Sequence, residues 1–216
     1  MTSRDRNPLP VRQLALVAMF AAVTSVLAWI RIPLPFSPVP ITGQTFGLML
    51  AGLLLGPRLG ALSQTVYLLM GVIGLPVFAG GQAGLGVLLG PTGGYLWGHI
   101  AGAYIAGLVA GPDPAGAAPR PMPATAGGRL PGGLPRGRIG LARTLTGAVL
   151  GGIAAVYALG VVQLAIVTGM DWPAAVLAGA VPFLPGDLVK AAVAATVAMR
   201  LAPVAAASLR PSTAGY

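Results

Sequence analysis

Long apolar stretches dominate the hydrophobic pattern of this chain. Between Leu59 and Pro112 no Asp, Glu, Lys or Arg occurs, and such a run is too long for one core helix of a soluble domain. Because a helix needs roughly 20 apolar residues to cross the hydrocarbon core, the pattern predicts an all-α integral membrane protein. It gives six transmembrane helices, at residues 13–31, 41–56, 59–75, 92–110, 144–169 and 187–205.

Segments rich in glycine and proline interrupt this pattern at membrane depth. Two of them run from Gly74 to Gly81 and from Gly90 to Gly94. Non-helical backbone is tolerated there only where protein covers it or where it lines a cavity. Together with the proline-rich segment 31–44 and with residues 169–186, they predict re-entrant or lid-like outer loops over a mostly apolar site.

The distribution of charge predicts the orientation in the membrane. The chain has 216 residues and a net charge of +9. All Lys and Arg residues except Arg31 and Lys190 lie on the side that holds both predicted termini, the turn at Arg58 and a linker at 111–140. Positive charge favours the cytoplasm, so both termini and this Gly- and Pro-rich, flexible linker of the single membrane domain 1–216 are predicted to be cytoplasmic. Scattered arginines without interleaved aromatic residues suit lipid head groups better than nucleic acid.

One pair of opposite charges lies at the start of the last predicted span. Asp187 and Lys190, the only lysine, are three residues apart and share a helix face. Charges within a span usually face a cavity or a partner, so the pair is a candidate ligand clamp. The alternative is structural, with Asp187 capping the helix and Lys190 reaching the interface. The spacing alone leaves both open.

Further polar residues in the spans have two interpretations each. Gln44 either binds a ligand or hydrogen-bonds the backbone at the interface, and Tyr67 and Tyr95 either close a pocket or belong to an aromatic belt. His99, the only histidine, is either packed in the bundle or a proton relay. A stripe of small residues on the first helix either packs within the bundle or docks a partner; it comprises Ala15, Ala18, Ala22, Ser25 and Ala28.

Several function classes lack the residues that they need. The absence of cysteine and of a second clustered histidine argues against a metal site, and the lysine is followed by Ala191 rather than by the Ser or Thr of a P-loop. An intramembrane aspartyl protease would need a second facing carboxylate, for which Asp171 is the one outer candidate. A non-enzymatic binding subunit that obtains energy from partners fits best, and a self-sufficient transporter is the alternative.

Five blocks of the sequence closely resemble one known family. In chain order they are Pro38–Thr45, Gly52–Gly60, Tyr67–Gly81, Gly90–Tyr95 and Pro182–Lys190. They resemble BioY, the family of biotin-specific substrate-binding components (S components) of energy-coupling factor (ECF) transporters. The resemblance covers nearly the whole chain except the tails and the linker.

The resemblance implies a function, partners and a site. It implies a six-helix protein in the bacterial cell membrane that captures biotin from outside and assembles with a transmembrane coupling subunit and two ATPase subunits, so that ATP is used by the partners and no cofactor is bound here. It makes Asp187 and Lys190 the polar clamp. Around the ligand it places Gln44, the Phe78–Gly81 loop with Gly80 and Gly81, and Tyr95. It assigns Ala18 and Ala22 to docking of the coupling subunit.

Overall fold

The computed structural model describes residues 11–111 and 140–209, with side chains to residue 205. The predicted linker 111–140 therefore lies outside the described residues apart from its two end glycines. The helices are α1 (Val11–Ala28), α2 (Gln44–Val72), α3 (Leu85–Leu89), α4 (Gly93–Ala110), α5 (Leu141–Val149), α6 (Val156–Thr168), α7 (Trp172–Gly179) and α8 (Leu184–Leu209). The strands are β1 (Arg31–Leu34) and β2 (Ser37–Thr42).

The described chain is mostly helical, and four of its helical stretches are long and apolar enough to cross a membrane. These are Val11–Ala28, Gln44–Val72, Leu141–Thr168 and Leu184–Ala205. The third is continuous because a π-helical turn, Leu150–Ala155, joins α5 to α6. This confirms the prediction of a multi-pass helical membrane protein. The number of crossings depends on whether α2 is one helix or two helices joined by a turn.

Helix α2 reverses direction in its middle. Gly56 has φ 82° and ψ 179°, a conformation open essentially to glycine alone, and Pro57 follows it. The Gln44 side chain hydrogen-bonds the Tyr67 hydroxyl, although the two residues are 23 positions apart and would be about 35 Å apart along a straight helix. The element therefore consists of two antiparallel arms, residues 44–55 and 57–72, which correspond to two separately predicted spans.

The proline-rich segment after α1 contains the one departure from an all-α prediction in the described residues. Strands β1 and β2 pair antiparallel, with Arg31 opposite Thr42 and Ile32 opposite Ile41. The register is irregular between Ile32 and Leu34, where Pro33 has no N–H to donate. The sequence predicted an outer loop at residues 31–44, and its pairing as a hairpin was not predicted.

Short elements replace the predicted loops at this end of the bundle. Residues 74–92 contain a 3-10 turn, Ala79–Gly81, and the five-residue helix α3. The predicted outer loop 169–186 contains α7, which Asp171 caps by accepting a hydrogen bond from the backbone N–H of Ala174 at 2.9 Å. We call this side, with the hairpin, these turns and α7, the hairpin end of the bundle.

Glycines allow close approach between α4 and α6 and between the two arms of α2. A Cβ atom at Gly98 of α4 would lie only 2.8 Å from the Val156 Cα atom, and one at Gly60 would lie 2.8 Å from the Gly52 Cα atom in the other arm of α2. Small residues at such crossings are typical of helices packed in membranes. Because these contacts fix the rotation of α4, they determine which of its side chains point into the space between α2, α6 and α8.

Candidate functional site

A cavity opens among the helices at the hairpin end. The space inside it, including its mouth and the solvent in it, is about 630 Å³. Its wall is mostly apolar with a few polar groups, and it is lined by Val39, Pro40, Ile41, Thr42, Gln44, Thr45, Phe78, Ala79, Gln82, Val87, Thr92, Tyr95, Leu96, His99, Val156, Tyr157, Phe183, Asp187 and Lys190.

The two charged residues of the cavity are directly paired. Lys190 Nζ donates to Asp187 Oδ1 at 2.7 Å, and Asp187 is only 3% exposed. Neither side chain has the structural role that the sequence left open, because Asp187 bonds other side chains rather than capping α8, and Lys190 bonds inward rather than at the interface. A buried ion pair is stable only when its other hydrogen bonds are made.

Those bonds are made by Thr42 at the end of β2, Thr45 at the start of α2 and Tyr157 of α6. Lys190 Nζ also donates to the Thr42 carbonyl at 2.7 Å and to Thr45 Oγ1 at 3.2 Å. Thr45 Oγ1 donates to Asp187 Oδ1 at 2.9 Å, and the Tyr157 hydroxyl donates to Asp187 Oδ2. All three N–H groups of the ammonium are thus engaged, whereas a carboxylate has about four acceptor positions, of which three are used.

Gln44 links three elements beside this pair. Its side chain is buried, its Oε1 accepts a hydrogen bond from Thr42 Oγ1 at 2.9 Å, and its Nε2 donates to the Tyr67 hydroxyl. The Tyr67 hydroxyl in turn donates to the Val77 carbonyl at 3.0 Å. Gln44 therefore connects the hairpin, both arms of α2 and the segment before α3.

The predicted loop Phe78–Gly81 contributes its first residues to the cavity and not its glycines. Phe78 is fully buried, with its ring edge-on to Tyr67 at 5.7 Å between centroids. Gly80 and Gly81 do not line the cavity. Both have positive φ, and Gly80 packs beside Arg31 while Gly81 packs beside Trp29. Their conformation, which L side chains rarely adopt, explains why glycine is present there.

Two aromatic residues of the cavity support each other. Tyr95 of α4 packs edge-on to Tyr157, with 6.3 Å between ring centroids, and its hydroxyl donates to the Gly179 carbonyl at 2.7 Å. It thereby joins α4 to the end of α7, and the ring of Tyr157 is positioned to place its hydroxyl on Asp187. Phe36, at the tip of the hairpin, is 63% exposed and does not line the cavity.

Thr45 and Tyr157 are the polar contacts that sequence reasoning missed. Thr45 directly follows the singled-out Gln44, so its position was available as a signal. Tyr157 gave little signal, because it lies in an apolar run just after the π-helical turn. One extra residue in a helix rotates the following residues by about 100°, so a regular α-helical periodicity assigns Tyr157 to the wrong face.

The small-residue stripe of α1 divides into exposed and buried parts. Ala15, Ala18 and Ala22 are exposed, whereas Ser25 and Ala28 are buried. The first three therefore lie on an outer face of the bundle.

In the described part of the chain no group of three or more His, Asp or Glu residues is arranged to bind a metal.

Comparison with known proteins gives consistent matches along the chain. The profile of the BioY family matches residues 1–207. The biotin transporter BioY of Rhizobium etli is 39% identical over 191 residues, which are 87% of this chain and 91% of that protein. The probable biotin transporter BioY of Pyrococcus horikoshii is 38% identical over 193 residues, or 89% and 98% of the two chains.

A solved structure matches the fold. The crystal structure of the S-component for biotin from an ECF-type ABC transporter superposes with a TM-score of 0.71 and 26% sequence identity. The match covers 93% of this chain and 94% of that one. On the sequence matches and on this shared architecture, the chain belongs to the BioY family.

Proposed function

We propose that this protein is the substrate-binding component of an ECF-type transporter and that it binds biotin in the cavity at the hairpin end. Family membership supports the class of protein, and relatives named as biotin transporters support the ligand. The observation that connects this function to the present chain is the buried Asp187–Lys190 pair in a mostly apolar cavity.

The hydrogen-bond count of the pair favours one orientation of the ligand group that it meets. Biotin has a ureido ring with two N–H donors and one oxygen acceptor, an apolar bicyclic body and a carboxylate. Asp187 retains an acceptor position, so it can accept a ureido N–H without losing a present contact. Lys190 must exchange one of its three acceptors before it can bind a ligand oxygen. We therefore assign the ureido ring to Asp187.

The apolar wall suits the rest of the molecule. Phe78, Leu96, Val156 and Phe183 line the cavity between the polar groups, and burying the ring and tail against them contributes about 25 cal/mol per Å² of apolar surface. Pro40 and Ile41 of the hairpin also line the cavity, so the hairpin covers one side of it.

We further propose that the chain crosses the membrane six times, with both termini in the cytoplasm. The reversal of α2 at Gly56 supports two crossings by its two arms, and α4 adds an 18-residue helix. Arg58 is exposed at that reversal, opposite the hairpin end. The positive-inside rule places such a turn in the cytoplasm and the hairpin end outside, where biotin would enter.

The partners in this proposal are a transmembrane coupling subunit and two ATPase subunits. Ala18 and Ala22 are the proposed docking residues, because both are exposed and small and therefore allow close approach of another helix. Replacing Ala22 by Trp is expected to reduce biotin uptake in cells that contain the partner subunits, while the purified variant still binds biotin. Unchanged uptake would exclude this face as the docking surface.

A binding assay with the purified protein tests the central proposal. Biotin, lipoate, thiamine and riboflavin are titrated separately, and only biotin is expected to bind tightly. Tight binding of another vitamin without biotin binding would assign the chain to a different substrate. ATP-independent uptake of biotin by this chain alone would favour a self-sufficient transporter.

A further inference from the structure

His99 is a buried polar residue in the cavity wall, and one of its ring nitrogens has no hydrogen-bond partner among the described residues. It lies on α4, one turn after Tyr95, and is only 3% exposed. Its Nδ1 is buried without a hydrogen-bond partner among the described residues. Its ring stacks on that of Tyr67, with 6.1 Å between centroids and an angle of 25°. His99 is therefore packed in the bundle, but its Nδ1 lacks the hydrogen bond that a packed histidine or a proton relay would make.

An imidazole in such a place destabilises the empty protein. A buried polar atom without a partner loses its hydrogen bonds to water and gains none from the protein, whereas a Phe or Leu side chain would fill the same space without that loss. Residues that break a packing rule in this way often serve a binding site. Nδ1 itself is enclosed by protein, but the ring lines the same cavity as the Asp187–Lys190 pair, so a bound molecule is the natural partner of the other ring nitrogen, Nε2.

We infer that His99 is a ligand-binding residue of this cavity, and that its imidazole N–H donates a hydrogen bond to an acceptor atom of the bound biotin. This inference rests on the proposed function. Asp187 has been assigned to the ureido N–H groups, and the other polar atoms of biotin, namely the ureido oxygen, the thioether sulfur and the carboxylate, are all acceptors. A group that binds any of these must donate, which a neutral imidazole with its proton on Nε2 does, and Nε2 is the ring nitrogen that protein does not enclose.

The position of His99 separates it from the charged pair. Asp187 and Lys190 bond to the end of β2, to the start of α2 and to α6, whereas the His99 ring packs on the second arm of α2 through Tyr67. The two sets of groups share no contact in the described residues, so they hold the ligand from different elements. His99 therefore contributes to the specificity for a molecule with both donors and a further acceptor.

The test compares variants of the full-length purified protein. His99→Phe keeps an aromatic ring against Tyr67 and removes the donor, and His99→Gln keeps an N–H near the position of Nε2. The biotin dissociation constant and the thermal unfolding midpoint without biotin are measured for each. His99→Phe is expected to weaken biotin binding about fivefold or more without lowering the midpoint of the empty protein. His99→Gln should stay within about threefold of the unsubstituted protein.

Other results would overturn the inference. If His99→Phe binds biotin as tightly as the unsubstituted protein, or if affinity and the empty-protein midpoint fall together and His99→Gln restores neither, His99 has no role toward the ligand. His99→Leu is interpreted in the same way should the Phe variant fail to fold. If the unsubstituted protein does not bind biotin, the proposed function fails with the inference. If it binds biotin and Asp187→Asn weakens it while His99→Phe does not, only the inference fails.

Discussion

At the scale of single residues, Asp187 has the most demanding environment in the cavity. Its carboxylate is almost fully buried and is held by an ammonium, a threonine and a tyrosine. Removing one member of a buried charge pair leaves the other uncompensated. These hydrogen bonds hold the Asp187 carboxylate in position before a ligand arrives, which lowers the entropic cost of ordering the site on binding.

Replacing Asp187 by Asn is expected to weaken biotin binding at least tenfold, which corresponds to about 1.4 kcal/mol. The amide retains the shape of the side chain and loses the negative charge that accepts ureido N–H groups and balances Lys190. Isothermal titration with purified protein measures the effect. Asp171→Asn is the matched control, because Asp171 is a carboxylate that caps α7 outside the cavity. Equal affinities for the two folded variants would argue against the clamp.

Replacing Tyr157 by Phe tests the support of the carboxylate. The ring and its contact with Tyr95 are retained, but Asp187 Oδ2 loses its hydroxyl donor. Hydrogen bonds to charged groups contribute about 1.5–3 kcal/mol, and part of that loss is expected in binding, as a three- to tenfold weaker biotin affinity. Tyr104→Phe, at a half-exposed position of α4 outside the cavity, should bind biotin normally. No difference between the two variants would show that Tyr157 does not position Asp187.

The sequence made some of these residues visible and left others hidden. Asp187 and Lys190 stood out because charge is rare within an apolar span. Thr45 and Tyr157 were missed because neither is unusual in a membrane helix, and their importance comes from where the reversal of α2 and the π-helical turn place them. Gly80 and Gly81 were singled out for approach to the ligand, but the structure places them outside the cavity wall.

At the scale of elements, Gly56 determines whether α2 folds back on itself. Its backbone is in a region that other residues occupy at a cost of about 1–3 kcal/mol. Gly56→Ala is therefore expected to lower the thermal unfolding midpoint and to reduce biotin binding, because Gln44 and Tyr67 meet only when the two arms are antiparallel.

Gly86→Ala provides the comparison for this substitution. Gly86 lies in α3, has no positive φ and has no atom within 4 Å of the position of an added Cβ. Replacing it by Ala should leave the midpoint unchanged or raise it slightly, since alanine favours the helix. If both substitutions have the same effect, the strained conformation at Gly56 is not what maintains the turn.

Helices were predictable to a greater extent than the elements between them. Apolar length located the helical segments because the bilayer imposes a minimum span. It gave no information on the pairing of β1 with β2, which depends on contacts between residues on either side of the tip at Phe36. The continuity of α5 and α6 through a π-helical turn was likewise not readable, since hydropathy does not distinguish helix types.

At the scale of the whole molecule, the membrane orientation is the proposal most open to a direct test. The chain contains no cysteine, so a single introduced cysteine is the sole thiol. Phe36→Cys is at the hairpin tip and Arg58→Cys is at the reversal of α2, and both positions are exposed. In intact cells a membrane-impermeant maleimide is expected to label the cysteine at 36 and to label that at 58 only after permeabilisation. The reverse pattern would invert the orientation.

The architecture as a whole suits the capture of a small molecule. Polar groups from α2, α4, α6 and α8 converge on one cavity, and the hairpin and the segment before α3 contribute to its wall. Because each of these elements is anchored by close helix contacts or by hydrogen bonds such as that from Gln44 to Tyr67, the cavity is largely preformed, as is common in small-molecule sites.

A structure of the purified protein with biotin bound tests the role of the charged pair most directly. We expect the ureido ring in the cavity at the hairpin end, with an N–H group within hydrogen-bond distance of the Asp187 carboxylate, about 3 Å, and with Lys190 close to the ligand. Biotin bound tightly elsewhere, with both side chains still paired to each other and distant from it, would contradict the proposed site.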